Sequence, residues 1–163
     1  MHPVEYVKVF HKTYGAPISD VPVIPPADRR LLRVKLILEE AAEFAKASGF
    51  PVQVMLIVSE EGDGVLRHMI RLEDATVDMD QPELIDIVEA ADAMGDINVV
   101  TNGSALEWGI PIQEVDHEIH LSNQSKLGEE GKPIKREDGK VLKGPNYFKP
   151  RILEILKRYG WGG

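Results

Sequence analysis

The sequence predicts a mainly α-helical bundle carrying one β-hairpin insertion, folded as a single domain over residues 1–163. Three observations predict it. Apolar residues recur at steps of three and four over five stretches, which is the period of a helix with one buried face. Between the second and third stretches the period changes to two: Val52, Val54, Leu56 and Val58 alternate, as do Leu66, His68, Ile70 and Leu72, around a Glu-Glu-Gly-Asp-Gly turn. Glycine and proline mark the breaks between these stretches.

Residues 3–14 read as a short amphipathic helix with Val4, Val7, Phe10 and Tyr14 inward, ended by Gly15. His11 is expected at the surface or in packing rather than as a ligand. Pro17, Pro22, Pro25 and Pro26 make residues 15–27 an extended connector, since each proline lacks a donor and biases its predecessor away from helix. Asp28 or a neighbour can cap the second helix, which runs to about Ser48 and stops near Gly49. Its start is basic, with Arg29, Arg30, Arg33 and Lys35; these cations are expected to be solvated or to pair with acids of a neighbouring subunit rather than to bind phosphate.

After the predicted hairpin at about 52–72, Asp80 is a plausible N-cap and Pro82 falls near the first turn of a third helix extending to about Trp108. Gly95 and Gly103 inside it cost stability unless another helix packs closely there. Gly109-Ile110-Pro111 is a break, and residues 112–125 read as a fourth helix. Glycine turns and lysines follow, with short strands around Asp138-Gly139 expected as a C-terminal hairpin or loop, and a last helix from about Pro150 to Tyr159.

The second and third helices carry acid where apolar residues belong. Leu36, Ile37 and Phe44 fall within roughly 60° of Glu40 on a helical wheel. On the third helix Ile85, Glu89, Asp92, Asp96, Val100 and Gly103 form one row. Each run alone is explained by a solvated face, with Lys35–Glu39 and Glu43–Lys46 as ordinary helix pairs. Two such rows point instead to a site, because unpaired carboxylates beside a core are costly and call for cations. Oxygen-only ligands favour Mg²⁺ or Mn²⁺ over zinc or copper. Glu40 and Glu43, like Glu89 and Asp92, are spaced i, i+3 and share a helix face; if the helices pack together, enough oxygen converges to hold two or three divalent ions, with Glu39 and Asp96 at the margins. Such ions polarise a phosphoryl group and activate water.

Composition narrows the partners. A formal charge of −8 argues against a nucleic-acid backbone, while a small anionic substrate remains compatible with a metal-neutralised acid cluster. The absence of cysteine excludes disulfides, thiolate zinc sites and thiol nucleophiles. No membrane span or secretory signal is predicted, and a cytoplasmic location is expected.

Glu39-Glu40-Ala-Ala-Glu43, Glu89-Ala-Ala-Asp92 with Asp96, and the tail SNQSK…DGKVLKGPNY stand in one order. In this the chain resembles the all-α nucleoside triphosphate pyrophosphohydrolases, which include MazG-like proteins and phosphoribosyl-ATP pyrophosphohydrolase, and within them a subgroup of bacterial and phage members. The resemblance covers more than half of the chain. It implies a helical homodimer or homotetramer that hydrolyses a nucleoside triphosphate between the α and β phosphates with Mg²⁺ or Mn²⁺. It implies Glu40, Glu43, Glu89 and Asp92 as metal ligands. Glu39 becomes a ligand to a second ion or the orienter of the attacking water, so that Glu39 and Glu40 are the catalytic pair. Asp96 becomes a further acid in the metal group. Asn123, Lys126, Lys143, Asn146 and Tyr147 become nucleotide-binding residues, with a structural hairpin role as their alternative.

The 45 residues between Glu43 and Glu89 exceed what the subgroup commonly has, so substrate preference (dUTP, dCTP or dGTP/GTP among the candidates) does not transfer. Asn98, Asn102 and Trp108 are candidates for base contacts or for helix packing.

Two rival readings remain at this stage. A di-iron carboxylate bundle needs two Glu-x-x-His motifs, and the chain offers only Glu114-Val-Asp-His117, with His120 nearby. An acidic helical interaction module would show neither metal dependence nor stabilisation by nucleotides.

Overall fold

A computed structural model describes residues 2–50, 54–60, 66–72, 85–129 and 131–163. The described elements are α1 (Pro3–Tyr14), α2 (Ala27–Ala47), β1 (Val54–Glu60), β2 (Leu66–Leu72), α3 (Ile87–Trp108), α4 (Ile112–Gln124) and α5 (Ile152–Arg158). The fold is mainly helical. β1 and β2 pair antiparallel, with Val54 opposite Leu72 and Glu60 opposite Leu66. The rest of the predicted 52–72 hairpin, its turn at 61–65 included, lies outside the described residues, as does the expected cap Asp80. No helix among the described residues is long and apolar enough to cross a membrane.

The chain forms two compact units, residues 1–25 with 102–163 and residues 26–101. In the first, Val4, Val7 and Leu106 make a buried cluster with Ile18 and Ile112 packed against it. The proline-rich connector supplies donors to the end of α3. Ser19 N–H donates to the Leu106 carbonyl at 2.8 Å and Val23 N–H to the Trp108 carbonyl at 2.9 Å, satisfying acceptors that a helix end leaves open. The approach is so close that a Cβ on Gly109, at φ 62°, would lie 1.9 Å from the Val21 carbonyl oxygen.

α1 matches its expected bounds, and Val4 and Val7 face inward as expected, but Phe10 and Tyr14 do not. His11 is buried, its Nδ1 2.9 Å from the Pro17 carbonyl oxygen, whereas Phe10 and Tyr14 are exposed and stack on each other at 4.5 Å. The imidazole can lie inside because the connector brings it a hydrogen-bond partner. His2, not singled out from the sequence, caps α1 by accepting from the Val4 N–H.

In the second unit α2 starts after Pro26 without a side-chain cap, and Asp28 instead lies in its first turn, where its charge favours the helix dipole. Its end is a Schellman turn: Phe50 N–H donates to the Ala45 carbonyl and Gly49 N–H to that of Lys46, with Gly49 at φ 85°. α3 begins later than the sequence suggests, at Ile87. Asp86 Oδ1 caps it by accepting from the Val88 and Glu89 N–H groups at 2.9 and 3.2 Å, so Ile85 precedes the helix rather than heading its acid row.

The expected C-terminal strands reduce to two isolated bridges, Leu127 with Pro133 and Lys135 with Val141. Pro133 and Pro145 lack the donors that a longer ladder would need. The last helix is shorter than expected, covering Ile152–Arg158.

Candidate active site

All six predicted acids stand in the unit formed by residues 26–101, Glu39, Glu40 and Glu43 on α2 and Glu89, Asp92 and Asp96 on α3. Glu40 alone is half-buried, on the stripe that also carries the half-buried Leu36 and Ile37; the other five are exposed. The acids of the α3 row therefore do not face a core, although Val100 of that row is buried. The buried residues of α3 in this unit are Ala90, Ala93 and Val100, a stripe of equally helical spacing set about one residue round from the acids. Alanine is easily overlooked as a core residue, and here it puts Glu89 and Asp92 on the rim of the stripe.

Acids from both helices act on one carboxyl. Burial pushes the Glu40 carboxyl above its ordinary range, and the negative charges of Glu43, Asp96, Glu39 and Asp92 push it further in the same direction. Glu43 and Asp92 also line a cleft of about 450 Å³ with Lys46, Ala47, Asp86 and Glu89. The six acids thus form one connected negative group, with Asp86 as a seventh member that the sequence reading missed. Its signal was present: Asp86-Ile-Val-Glu89 has the Asp-x-x-Glu spacing of a capping box.

Among the described residues, no three acid or imidazole side chains converge closely enough to make a ready coordination shell. The donor chemistry nevertheless fits a hard divalent cation. Every donor is a carboxylate oxygen, and the repulsion that raises Glu40 is the kind that a bound cation relieves.

The predicted tail residues belong to the other unit. Lys126 Nζ donates to Asn123 Oδ1 at 2.7 Å, across the end of α4. Lys143 lies over the Tyr147 ring at 4.4 Å, a cation–π contact. Asn146 is exposed on the turn closed by Tyr147 N–H donating to the Gly144 carbonyl. His117 and His120 are exposed, as expected of surface or interface residues.

Residues 7–123 match the phosphoribosyl-ATP pyrophosphohydrolase family. That stretch contains all six carboxylates and ends on Asn123, leaving Lys126, Lys143, Asn146 and Tyr147 beyond it. No curated protein matches. Among solved structures, the chain is similar to a candidate NTP pyrophosphohydrolase from Exiguobacterium sp. 255-15, at 26% identity over 97% of this chain and 95% of that one, with a TM-score of 0.43. The family match spans well over half of the sequence and holds both acid rows, and on that ground the chain belongs to the phosphoribosyl-ATP pyrophosphohydrolase family.

Proposed function

We propose that this member of the family hydrolyses a nucleoside triphosphate to its monophosphate and pyrophosphate, by water attack at the α-phosphate, with Mg²⁺ or Mn²⁺. The observation that supports this most directly is the convergence on Glu40 of negative charge from both helices, inside the family-matched stretch. A purely solvated acidic face has no reason to set one glutamate on a half-buried stripe with four like charges acting on it.

Glu40, Glu43, Glu89 and Asp92 hold the divalent ions in this reading. When bound, the ions neutralise phosphate charge and polarise the phosphoryl group under attack. Glu39 holds a further ion or orients the attacking water, and Asp96 adds negative charge to the group that binds the ions. Lys126 and Lys143 place positive charge against phosphate oxygens, Asn123 and Asn146 offer amide hydrogen bonds, and Tyr147 presents a ring to the nucleotide. The substrate is a single nucleotide such as dUTP, dCTP, dGTP or GTP.

The acting form is a homodimer or homotetramer. Large apolar side chains support this: Ile87 and Val88 of α3 are 76% and 71% exposed, and Met94 and Val99 of α3 and Val34 of α2 are also exposed.

One observation favours the rival reading of an acidic interaction module, namely that five of the six carboxylates are exposed. Product analysis against the eight common nucleotides and dUTP, with Mg²⁺, Mn²⁺ or EDTA, separates the two. Monophosphate plus pyrophosphate from one or a few substrates, abolished by EDTA, is the expected result. Diphosphate plus orthophosphate would reject attack at the α-phosphate. No turnover with either metal, together with no nucleotide-dependent rise in melting temperature, would favour the interaction module.

A further inference from the structure

The C-terminal tail is fastened to one face of α4 through its backbone, by residues that have no assigned part in the chemistry. Glu118, Ser122 and Ser125 are spaced four and three apart, so they line one side of α4 and its end. Ser122 is 2% exposed, and its hydroxyl donates to the Phe148 carbonyl at 2.8 Å. The Ser125 hydroxyl accepts from the Phe148 N–H at 3.1 Å and donates to the Ser122 carbonyl at 2.7 Å. Both backbone groups of Phe148 are therefore held by serines. Three residues on, the buried carboxylate of Glu118 accepts from the Arg151 N–H and from Arg151 Nε, each at 3.0 Å. The same guanidinium lies 5.8 Å from the centre of the Phe148 ring.

The other end of the tail is also fixed. Gly144 N–H donates to the Lys126 carbonyl at 3.0 Å, and a Cβ at Gly144 would lie 2.1 Å from the Leu127 carbonyl oxygen. The chain between these two anchors is short. It holds Asn146 and Tyr147, and Lys143 stands just outside it with its ammonium over the Tyr147 ring. Apart from the Arg151 guanidinium, the groups gripped are backbone atoms, which fixes where the segment runs without constraining the side chains displayed at 144–147. That suits a binding turn held in advance of its ligand.

We propose that Glu118 and Ser122 are positioning residues that hold the 144–147 turn in the conformation that binds the nucleotide. The inference rests on the functional reading above. Neither residue touches substrate in it; Ser122 acts through the Phe148 carbonyl, and Glu118 through the Arg151 N–H and guanidinium.

The test uses the full chain with Mg²⁺ and whichever of dUTP, dCTP, dGTP and GTP it turns over fastest. Ser122→Ala and Glu118→Ala are expected to raise KM about tenfold, since each leaves a tail backbone group without its partner, while kcat stays within about twofold. Hydrogen exchange at the Phe148 and Arg151 amides should quicken in step. Glu118→Gln keeps an oxygen that accepts from the Arg151 N–H, so it should restore most of the affinity that Glu118→Ala loses.

Unchanged KM in both alanine variants would overturn the inference, whether or not exchange quickens. So would parallel losses in kcat and melting temperature with no rescue by Glu118→Gln, which would mark a merely structural role. Wild-type chain that neither binds nor hydrolyses a nucleotide would instead remove the functional reading itself, an outcome visible before any variant is compared.

Discussion

Glu40 on α2 and Glu118 on α4 are both helical glutamates drawn out of solvent, yet their surroundings act in opposite directions. Around Glu40 burial comes with four further acids, and its carboxyl is pushed above the ordinary range. Around Glu118 the Arg151 guanidinium and backbone N–H donate to the carboxylate, and its carboxyl is held below that range despite burial. A carboxylate with its donors in place is a structural fastening, complete within the chain. A carboxylate surrounded by its own kind lacks such donors, and the proposed function supplies a cation from outside in their place. The contrast distinguishes a site from a clamp in a chain where acids are common.

The comparison is sharpened most by removing one member of the repelling group. Glu43 is the charge that weighs most on Glu40. If Glu43 holds an ion as in the proposed function, Glu43→Gln is expected to lower kcat/KM by about a hundredfold or more, because that charge is lost from the transition state. Its melting temperature without metal should stay the same or rise as the repulsion eases. A variant that keeps full activity, or one that unfolds, would place Glu43 among ordinary surface or structural acids.

A second substitution lowers stability while leaving both carboxylates untouched. Gly109→Ala puts a Cβ against the Val21 carbonyl and a side chain on a positive φ, so it should cost about 2 kcal/mol of stability. Thermal unfolding measures it. The metal-dependent stabilisation that the proposed function calls for should persist below the lowered melting temperature, because the acids of α2 and α3 are unchanged. Loss of that stabilisation in the folded variant would show that metal binding needs more than the acids of α2 and α3.

Much of this was legible in the sequence, for physical reasons that differ from residue to residue. The acids of the candidate site stand out because their spacing of three and four repeats on two helices. The bounds of α1 were visible because Pro3 and Gly15 punctuate it at both ends. What could not be read was which of two neighbouring stripes turns inward. Ala90 and Ala93 carry little hydrophobic signal, yet they form the buried face of α3, so the acid row beside them was taken for the core row. Surface and packing stay undecided for His11 in the sequence for a related reason: the Pro17 carbonyl that makes its burial tolerable lies in an irregular connector that no periodicity describes. The clamp was least visible of all. Glu118 and Ser122 are unremarkable on a polar helix, and their partners, Arg151 and the Phe148 carbonyl, lie 33 and 26 residues away.

The smallest expected effect probes the clamp through pH. The folded-state value of Glu118 lies below its ordinary 4.5. Well above that value the carboxylate is ionised in both the folded and the unfolded chain, and its contribution to stability is fully present. As pH falls through the ordinary value, the unfolded chain takes up the proton first, and the contribution drains away until the folded chain is protonated as well. Glu118→Gln has no such proton to bind. Its stability relative to the wild type should therefore be lowest near neutrality and recover as the pH falls below about 4.5. Asp138, held low by Arg136, titrates in the same direction in both proteins and cancels in the difference. Urea unfolding of the two proteins between pH 7 and pH 3 measures that difference. A gap that does not change with pH would mean that the Arg151 contacts contribute nothing specific to the ionised form, and the contrast between Glu118 and Glu40 would then reduce to packing.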